Sequence, residues 1–218
     1  MSVQERKQRE RLERERLIVA TARELAEQQG WDAVTTRRLA ERIEYSQPVL
    51  YSHFRGKREI IGAVALEGAA ELAAVLRAAT SATSSVTTST SAAPSAVSSA
   101  APSAAPSASD GPRARVAALA RAYLDFAARN PAVYDALFAL DGGLAFANED
   151  TPQPLKDAFA ALLESLGEVA GDGVHPGVFT EMFWAALHGL ATLTRAGRLP
   201  PEYAESRVEL LVDRLPVF

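Results

Sequence analysis

In the stretch TTRRLAERIEYSQPVLYSHFRGK, residues 35–57, side chains able to hydrogen-bond or carry charge recur at short intervals: Thr36 and Arg37, then Ser46, Gln47 and Pro48, then Tyr51, His53 and Lys57. Gln47 is the one suited to reading a base, because its amide offers a donor and an acceptor side by side and matches the N6/N7 edge of adenine. Tyr51, His53, Lys57, Thr36 and Arg37 suit phosphate oxygens, which set register and affinity without reading sequence. Ser46 and Pro48 frame Gln47 and belong to the same contact set. The chemistry expected here is recognition of duplex DNA.

Two short helices must hold these groups. The first spans about residues 36–43, with Thr35 as N-cap and Leu39, Ala40 and Ile43 on one face. Ser46 is a second good N-cap, and Pro48 sits in the opening turn of the next helix, where its missing N–H costs nothing. That second helix, about residues 47–54, turns Val49, Leu50 and Phe54 inward and leaves Gln47, Tyr51, Ser52 and His53 outside. Two helices of this size around a tight turn form a helix-turn-helix, whose second helix lies in the major groove with its N-terminal residues against base edges.

The stretch resembles the N-terminal DNA-binding domain of the TetR family of bacterial transcriptional repressors. The resemblance covers roughly residues 17–61 and is carried by Gly30-Trp31, Thr35-Thr36, Leu39-Ala40, Leu50-Tyr51, His53-Phe54 and Lys57. The run Leu-Tyr-x-His-Phe-x-x-Lys is its most specific part. One departure stands at the turn, where many members carry Gly-Val and this chain carries Glu44-Tyr45. A non-glycine residue must then hold a left-handed or bridge conformation, at some cost.

The net charge of −4 argues against a polyanionic partner only until its distribution is read. Residues 1–62 hold 13 Lys and Arg against 10 Asp and Glu, the remainder 10 against 17, so a basic end sits on an acidic body. There is no cysteine, hence no disulfide or thiolate metal site, which is compatible with a reducing cytoplasm. The opening residues are too densely charged for a secretory signal, and no apolar run reaches the ~18–20 residues a membrane helix needs. A soluble, cytoplasmic protein is expected.

Ahead of the motif, residues 1–16 alternate acid and base without an apolar stripe. They read either as a solvated, salt-bridged helix extension or frayed tail, or as an arm whose Arg6, Lys7, Arg9 and Arg11 touch DNA beside the main contact. Leu17, Ile18, Ala22, Leu25 and Ala26 then predict an amphipathic helix ended by Gly30, and Trp31 and Val34 complete a small three-helix core. After Gly56, a helix from Lys57 to about residue 79 leads from the DNA-reading end into the body and is the candidate lever. Residues 80–110 are low-complexity Ser, Thr, Ala and Pro, expected to be a disordered insertion.

Helical periodicity resumes over residues 112–129, 131–147 (interrupted by Gly142-Gly143), 154–170 and 176–196, and in a last helix after Pro200-Pro201. No alternating strand pattern occurs, so the expected fold is all-α: an N-terminal three-helix helix-turn-helix DNA-binding domain, residues 1–62, and a larger helical ligand-binding and dimerisation domain, residues 63–218. The helix over residues 176–196 is apolar nearly all round and needs cover beyond one subunit. Family resemblance implies that the last two helices pair with those of a second copy. Trp184, His188 and Gly189 also resemble the Trp-His-Gly type of C-terminal domain found in some members.

These expectations converge on a sequence-specific, dimeric transcriptional repressor that a small-molecule effector releases from a double-stranded DNA operator. Tyr123, Phe126, Tyr134, Phe138, Phe159, Phe183, Trp184 and His188 are the candidate effector contacts, each of which could equally be plain core. No cofactor or metal is expected. A ligand-independent architectural DNA-binding protein is the alternative. A small helical enzyme is a poor fit, because His53, His175 and His188 are scattered, and Glu181, seven residues before His188, has poor metal-ligand spacing.

Overall fold

A computed structural model describes residues 2–89 and 110–214, and within them the regular structure is entirely helical. The helices are α1 (Val3–Gln29), α2 (Thr36–Arg42), α3 (Gln47–His53), α4 (Lys57–Ser89), α5 (Asp110–Arg129), α6 (Pro131–Phe138), α7 (Gln153–Leu166), α8 (Pro176–Arg195) and α9 (Ala204–Arg214). Single 3₁₀ turns lie at Trp31–Ala33, Gly167–Val169 and Pro201–Tyr203. No helix among the described residues is long and apolar enough to cross a membrane.

The chain divides into two compact units. One runs to Glu71 and adds Arg129–Lys156; the other consists of Leu72–Ala128 and the chain from Asp157 onward.

In the first unit, Ile18, Val19, Ala22, Leu25 and Ala26 make the buried stripe of α1, and Leu39, Ala40 and Leu50 are buried on α2 and α3. The amphipathic pattern from Leu17 onward is only the second half of α1. Its first half is helical because Ser2 and Glu5 form a reciprocal capping box: the Ser2 hydroxyl accepts from the Glu5 N–H, and the Glu5 carboxylate accepts from the Ser2 N–H. Ion pairs spaced i, i+4 (Arg6–Glu10, Arg11–Glu15 and Arg14–Glu10) add support at about 0.2–0.5 kcal/mol each. Gly30, at φ +78°, ends the helix, and its N–H bonds the Ala26 carbonyl at 2.8 Å.

The same unit takes in α6, which lies some hundred residues away in sequence but packs against α1. Three side chains of the N-terminal segment hold the start of α6. Glu27 accepts hydrogen bonds from the Ala132 and Val133 amides at 3.1 and 3.2 Å, meeting free N–H groups of the first turn as an N-cap would. The buried Trp31 donates its indole N–H to the Ala132 carbonyl at 2.8 Å. Arg23 binds the Glu71 carboxylate through two nitrogens and donates to the Asn130 side chain at 3.0 Å. On the other flank, α4 meets α6 and the segment after it through glycines. A Cβ at Gly62 would overlap the Gly142 carbonyl oxygen, and one at Gly68 would overlap Val133 Cγ1.

Besides the early start of α1, two helix ends differ by nine or ten residues from the sequence expectation. The apolar pattern over residues 131–147 predicts one interrupted helix, but α6 stops at Phe138. The Ala139 and Leu140 amides both turn back to the Asp135 carbonyl, and Gly143 and Ala147 take φ of +71° and +54°, which no helix accommodates. α4 in turn continues ten residues past its expected end at 79. No Gly or Pro interrupts residues 80–89, and Thr80 satisfies its hydroxyl on the Leu76 and Arg77 carbonyls, so a helix already propagating has no reason to stop. Residues 90–109, most of the expected insertion, lie outside the described residues.

In the second unit, Leu72 and Leu76 of α4, Val116, Leu119, Tyr123 and Phe126 of α5, Leu162 and Leu166 of α7, Phe179, Phe183 and Leu187 of α8, and Val208 and Val212 of α9 are buried. Arg113 and Arg121 of α5 pair with Asp213 and Glu205 of α9, and Arg77 of α4 pairs with Glu164 of α7. α8 begins at His175, whose Nδ1 accepts the Gly177 and Val178 amides at 3.1 and 3.4 Å.

Candidate nucleic-acid interface

The helix-turn-helix is set by backbone conformation at the turn. Thr35 caps α2 by accepting the Arg38 N–H at 3.2 Å. After Arg42 the chain reverses through Glu44, which sits at φ +56°, and the Tyr45 amide returns to the Ala40 carbonyl at 2.9 Å. The expected non-glycine turn is therefore held in the left-handed region, at a cost of roughly 1–2 kcal/mol. Ser46 occupies the N-cap position of α3 without a side-chain cap bond; its carbonyl accepts the Val49 and Leu50 amides.

Seven residues long, α3 buries Leu50 and leaves Ser46, Gln47 and Pro48 exposed at its N-terminus. Tyr51 is 52% exposed, and its hydroxyl lies 3.3 Å from that of Thr36 on α2, so the two helices present a paired set of hydroxyls beside Gln47. Arg37 is exposed on α2 and bonds Glu41 one turn on. Thr36, Arg37, Ser46, Gln47, Pro48 and Tyr51 are thus all carried by the two helices and the turn between them.

His53 requires a correction. Outward spacing was expected, yet its side chain is only 6% exposed, with Nδ1 3.3 Å from Glu15 on α1. Position 53 lies three residues after the buried Leu50 and so shares its face, which is the side occupied by α1. Glu15 also accepts from Arg11 at 2.9 Å, and that bond, opposed by desolvation and supported by His53, holds its carboxyl below the usual range. Lys57 is half-buried, with its ammonium on the Trp31 carbonyl. Its first bond is structural, leaving two further N–H donors.

The aromatic candidates of the body divide between the units. Tyr134 and Phe138 stack edge to face at 4.8 Å on α6, in the first unit. Tyr123, Phe126, Phe159, Phe183, Trp184 and His188 belong to the second. There the Trp184 indole N–H donates to the fully buried Tyr123 hydroxyl at 3.0 Å, and Phe159 meets Trp184 edge-on at 6.5 Å. His188 lies one turn from Trp184 on α8, and burial lowers its pKa, favouring neutral imidazole. Among the described residues, no group of three or more His, Asp or Glu side chains is placed to hold a metal ion.

Sequence reasoning missed the Glu27 cap on α6 and the His175 cap on α8. Glu27 carries no local signal, because its partners lie about a hundred residues away. His175 does, because it directly precedes Pro176 at a helix start.

An all-α chain whose three N-terminal helices present an exposed Gln-bearing helix defines a helix-turn-helix protein. Residues 18–64 match the family model for bacterial regulatory proteins of the tetR family, and residues 116–215 match the tetracyclin repressor-like C-terminal domain. The chain belongs to the TetR family. The class C tetracycline repressor protein of Escherichia coli is 47% identical over 55 residues, and the class G protein of Vibrio anguillarum 45% over 47. These alignments span about a quarter of the length of each relative, 25% and 22%. Among solved structures, a protein of unknown function from Rhodococcus sp. RHA1 is similar over 92% of both chains, with TM-score 0.65 and 24% identity. A TetR/AcrR-family transcriptional regulator from Thermobifida fusca matches over 93% of this chain and 98% of its own, with TM-score 0.55 and 19% identity. At these identities the likeness is one of fold.

Proposed function

We propose that this chain is a cytoplasmic, sequence-specific transcriptional regulator without catalytic activity. In this reading it acts as a homodimeric repressor that leaves a near-palindromic DNA operator when a small molecule binds its body. The observation that carries the reading is the exposed Gln47 in the first turn of α3, beside the Thr36–Tyr51 hydroxyl pair and next to a turn held by Glu44. Residues 1–62 are assigned to DNA and residues 63–218 to dimerisation and effector binding.

Dimerisation through α8 and α9 is supported by exposed apolar side chains. Val178, Met182 and Leu193 lie along one face of α8, and Leu210 is 58% exposed on α9. A stripe of this kind on a helix that already buries Phe179, Phe183 and Leu187 inside its own unit suits a second subunit. For the effector, the Tyr123–Trp184–Phe159 cluster with neutral His188 supplies apolar walls and a few polar edges.

The test is recovery of bound fragments from a genomic DNA pool with the purified chain, then competition with variant sites. Enrichment of a two-fold site is expected. Gln47→Ala should lose discrimination at one position of each half-site, by about 1–3 kcal/mol against the wrong base. Failure to enrich any sequence would overturn the reading.

A further inference from the structure

The first half of α1 has no packing role that accounts for its length or order. All residues of 2–14 are exposed. A capping box and three i, i+4 ion pairs nevertheless keep this segment helical to its first turn, so a polar helix projects from the head without a hydrophobic face to bury.

It leaves the head at Glu15, which touches His53 at the C-terminal end of α3. At 100° per residue, the face that carries Ile18, Ala22 and Leu25 continues toward the N-terminus through Glu15, Arg14, Arg11, Gln8, Lys7 and Gln4. The only acid on this face, Glu15, is already engaged by His53 and Arg11. Glu10 lies to one side, paired with Arg6 and Arg14, while Glu5 is held in the cap and Glu13 points to the opposite face. Lys7 is exposed and in no ion pair among the described residues. Arg11 uses one N–H on Glu15 and is 57% exposed. The face of α1 that meets the recognition helix at Glu15 is therefore basic and amide-bearing in the turns that precede Glu15.

We infer that the N-terminal half of α1 is a second DNA contact, laying Lys7 and Arg11 on phosphates that flank the base pairs read by α3. The inference rests on the regulator reading above. Lys7 stands eight residues beyond Glu15, about 12 Å along the axis at 1.5 Å per residue. At roughly 3.4 Å of duplex per base pair, that is a reach of at most about three to four pairs past the end of α3.

The experiment compares the parent chain, Lys7→Gln and a form lacking residues 2–9, all on one recovered site, by salt-dependent affinity and hydroxyl-radical footprinting. Lys7→Gln keeps a good helix former and removes only the charge. With one Lys7 per head and two heads on the two-fold site, its slope of log K against log salt should fall by about 1.8. The deletion retains Arg11, Glu15 and His53, and should lower the slope by at least as much and shorten the protected region by about two to four base pairs per head. Equal slopes and footprints for all three forms would overturn the second contact while leaving the regulator reading in place. Were the parent itself to bind no duplex, the regulator reading would fall first. If the deletion did not fold, as judged by its melting transition, the slope of Lys7→Gln alone would decide.

Discussion

Glu44 is the residue at which this chain's turn differs most from a relaxed one. It holds φ +56° without the freedom of glycine, and the return bond from Tyr45 to Ala40 over-determines its conformation. Glu44→Gly should therefore stabilise the head by about 0.5–1 kcal/mol, the left-handed cost removed less the extra entropy that glycine loses on folding. A denaturant midpoint that rises at constant m-value would show it, and an unchanged or lower midpoint would mean that Glu44 is not strained. His188 offers a prediction with a sign. Burial depresses its folded pKa, so the unfolded chain binds more protons than the folded one just below the ordinary histidine range. Stability from this residue is present above about pH 6.5 and is lost as pH falls toward the folded pKa. His188→Gln should flatten the fall in melting temperature between pH 7 and pH 5, and parallel curves would sink the assignment.

At the scale of elements, most helix ends marked by their own residues were legible in the sequence, and contacts whose partner lies far along the chain were not. Thr35, Gly30, Pro48 and Pro176 each mark a helix end by their own chemistry; α2 and α3 keep their expected bounds to within a residue, and α1 ends where Gly30 marks it but starts at Val3, well ahead of Leu17. His53, three residues after Leu50, shares that residue's face by spacing, and the position of α1 shows how far this face is covered. α6 ends early because its C-terminal continuation must approach α4 at glycine-to-glycine distance, a requirement that no window of hydrophobicity contains. Two substitutions test this packing. Gly62→Ala forces a methyl into the Gly142 carbonyl and should destabilise the unit by about 1–3 kcal/mol. Trp31→Phe keeps most of the ring but leaves the Ala132 carbonyl without its donor, costing about 1–3 kcal/mol. Thermal melts of both variants check the two figures, and a melting temperature within error of the parent would show that the contact in question does not hold.

For the whole molecule, the exposed apolar stripe on α8 and α9 sharpens the choice of interface variants. Met182 is 62% exposed and Leu193 40%, whereas Val212 is 1% exposed, so a glutamate at position 182 or 193 should act on association and one at 212 on folding. Met182→Glu is expected to melt cooperatively and to sediment as a monomer that binds operator at least tenfold more weakly; a dimeric variant, or a monomeric parent, would count against the proposed interface. The hold of Glu27, Trp31 and Arg23 on the start of α6 has a separate consequence for anyone cutting or recombining the chain. A fragment ended at residue 62 would carry a carboxylate and an indole N–H whose partners had been discarded, on a surface shaped to receive a helix. Transplanting this reading head onto a relative's body would therefore mean moving two separated stretches together, 2–71 and 129–156, and a chimera joined at a single crossover would inherit a mismatched seam.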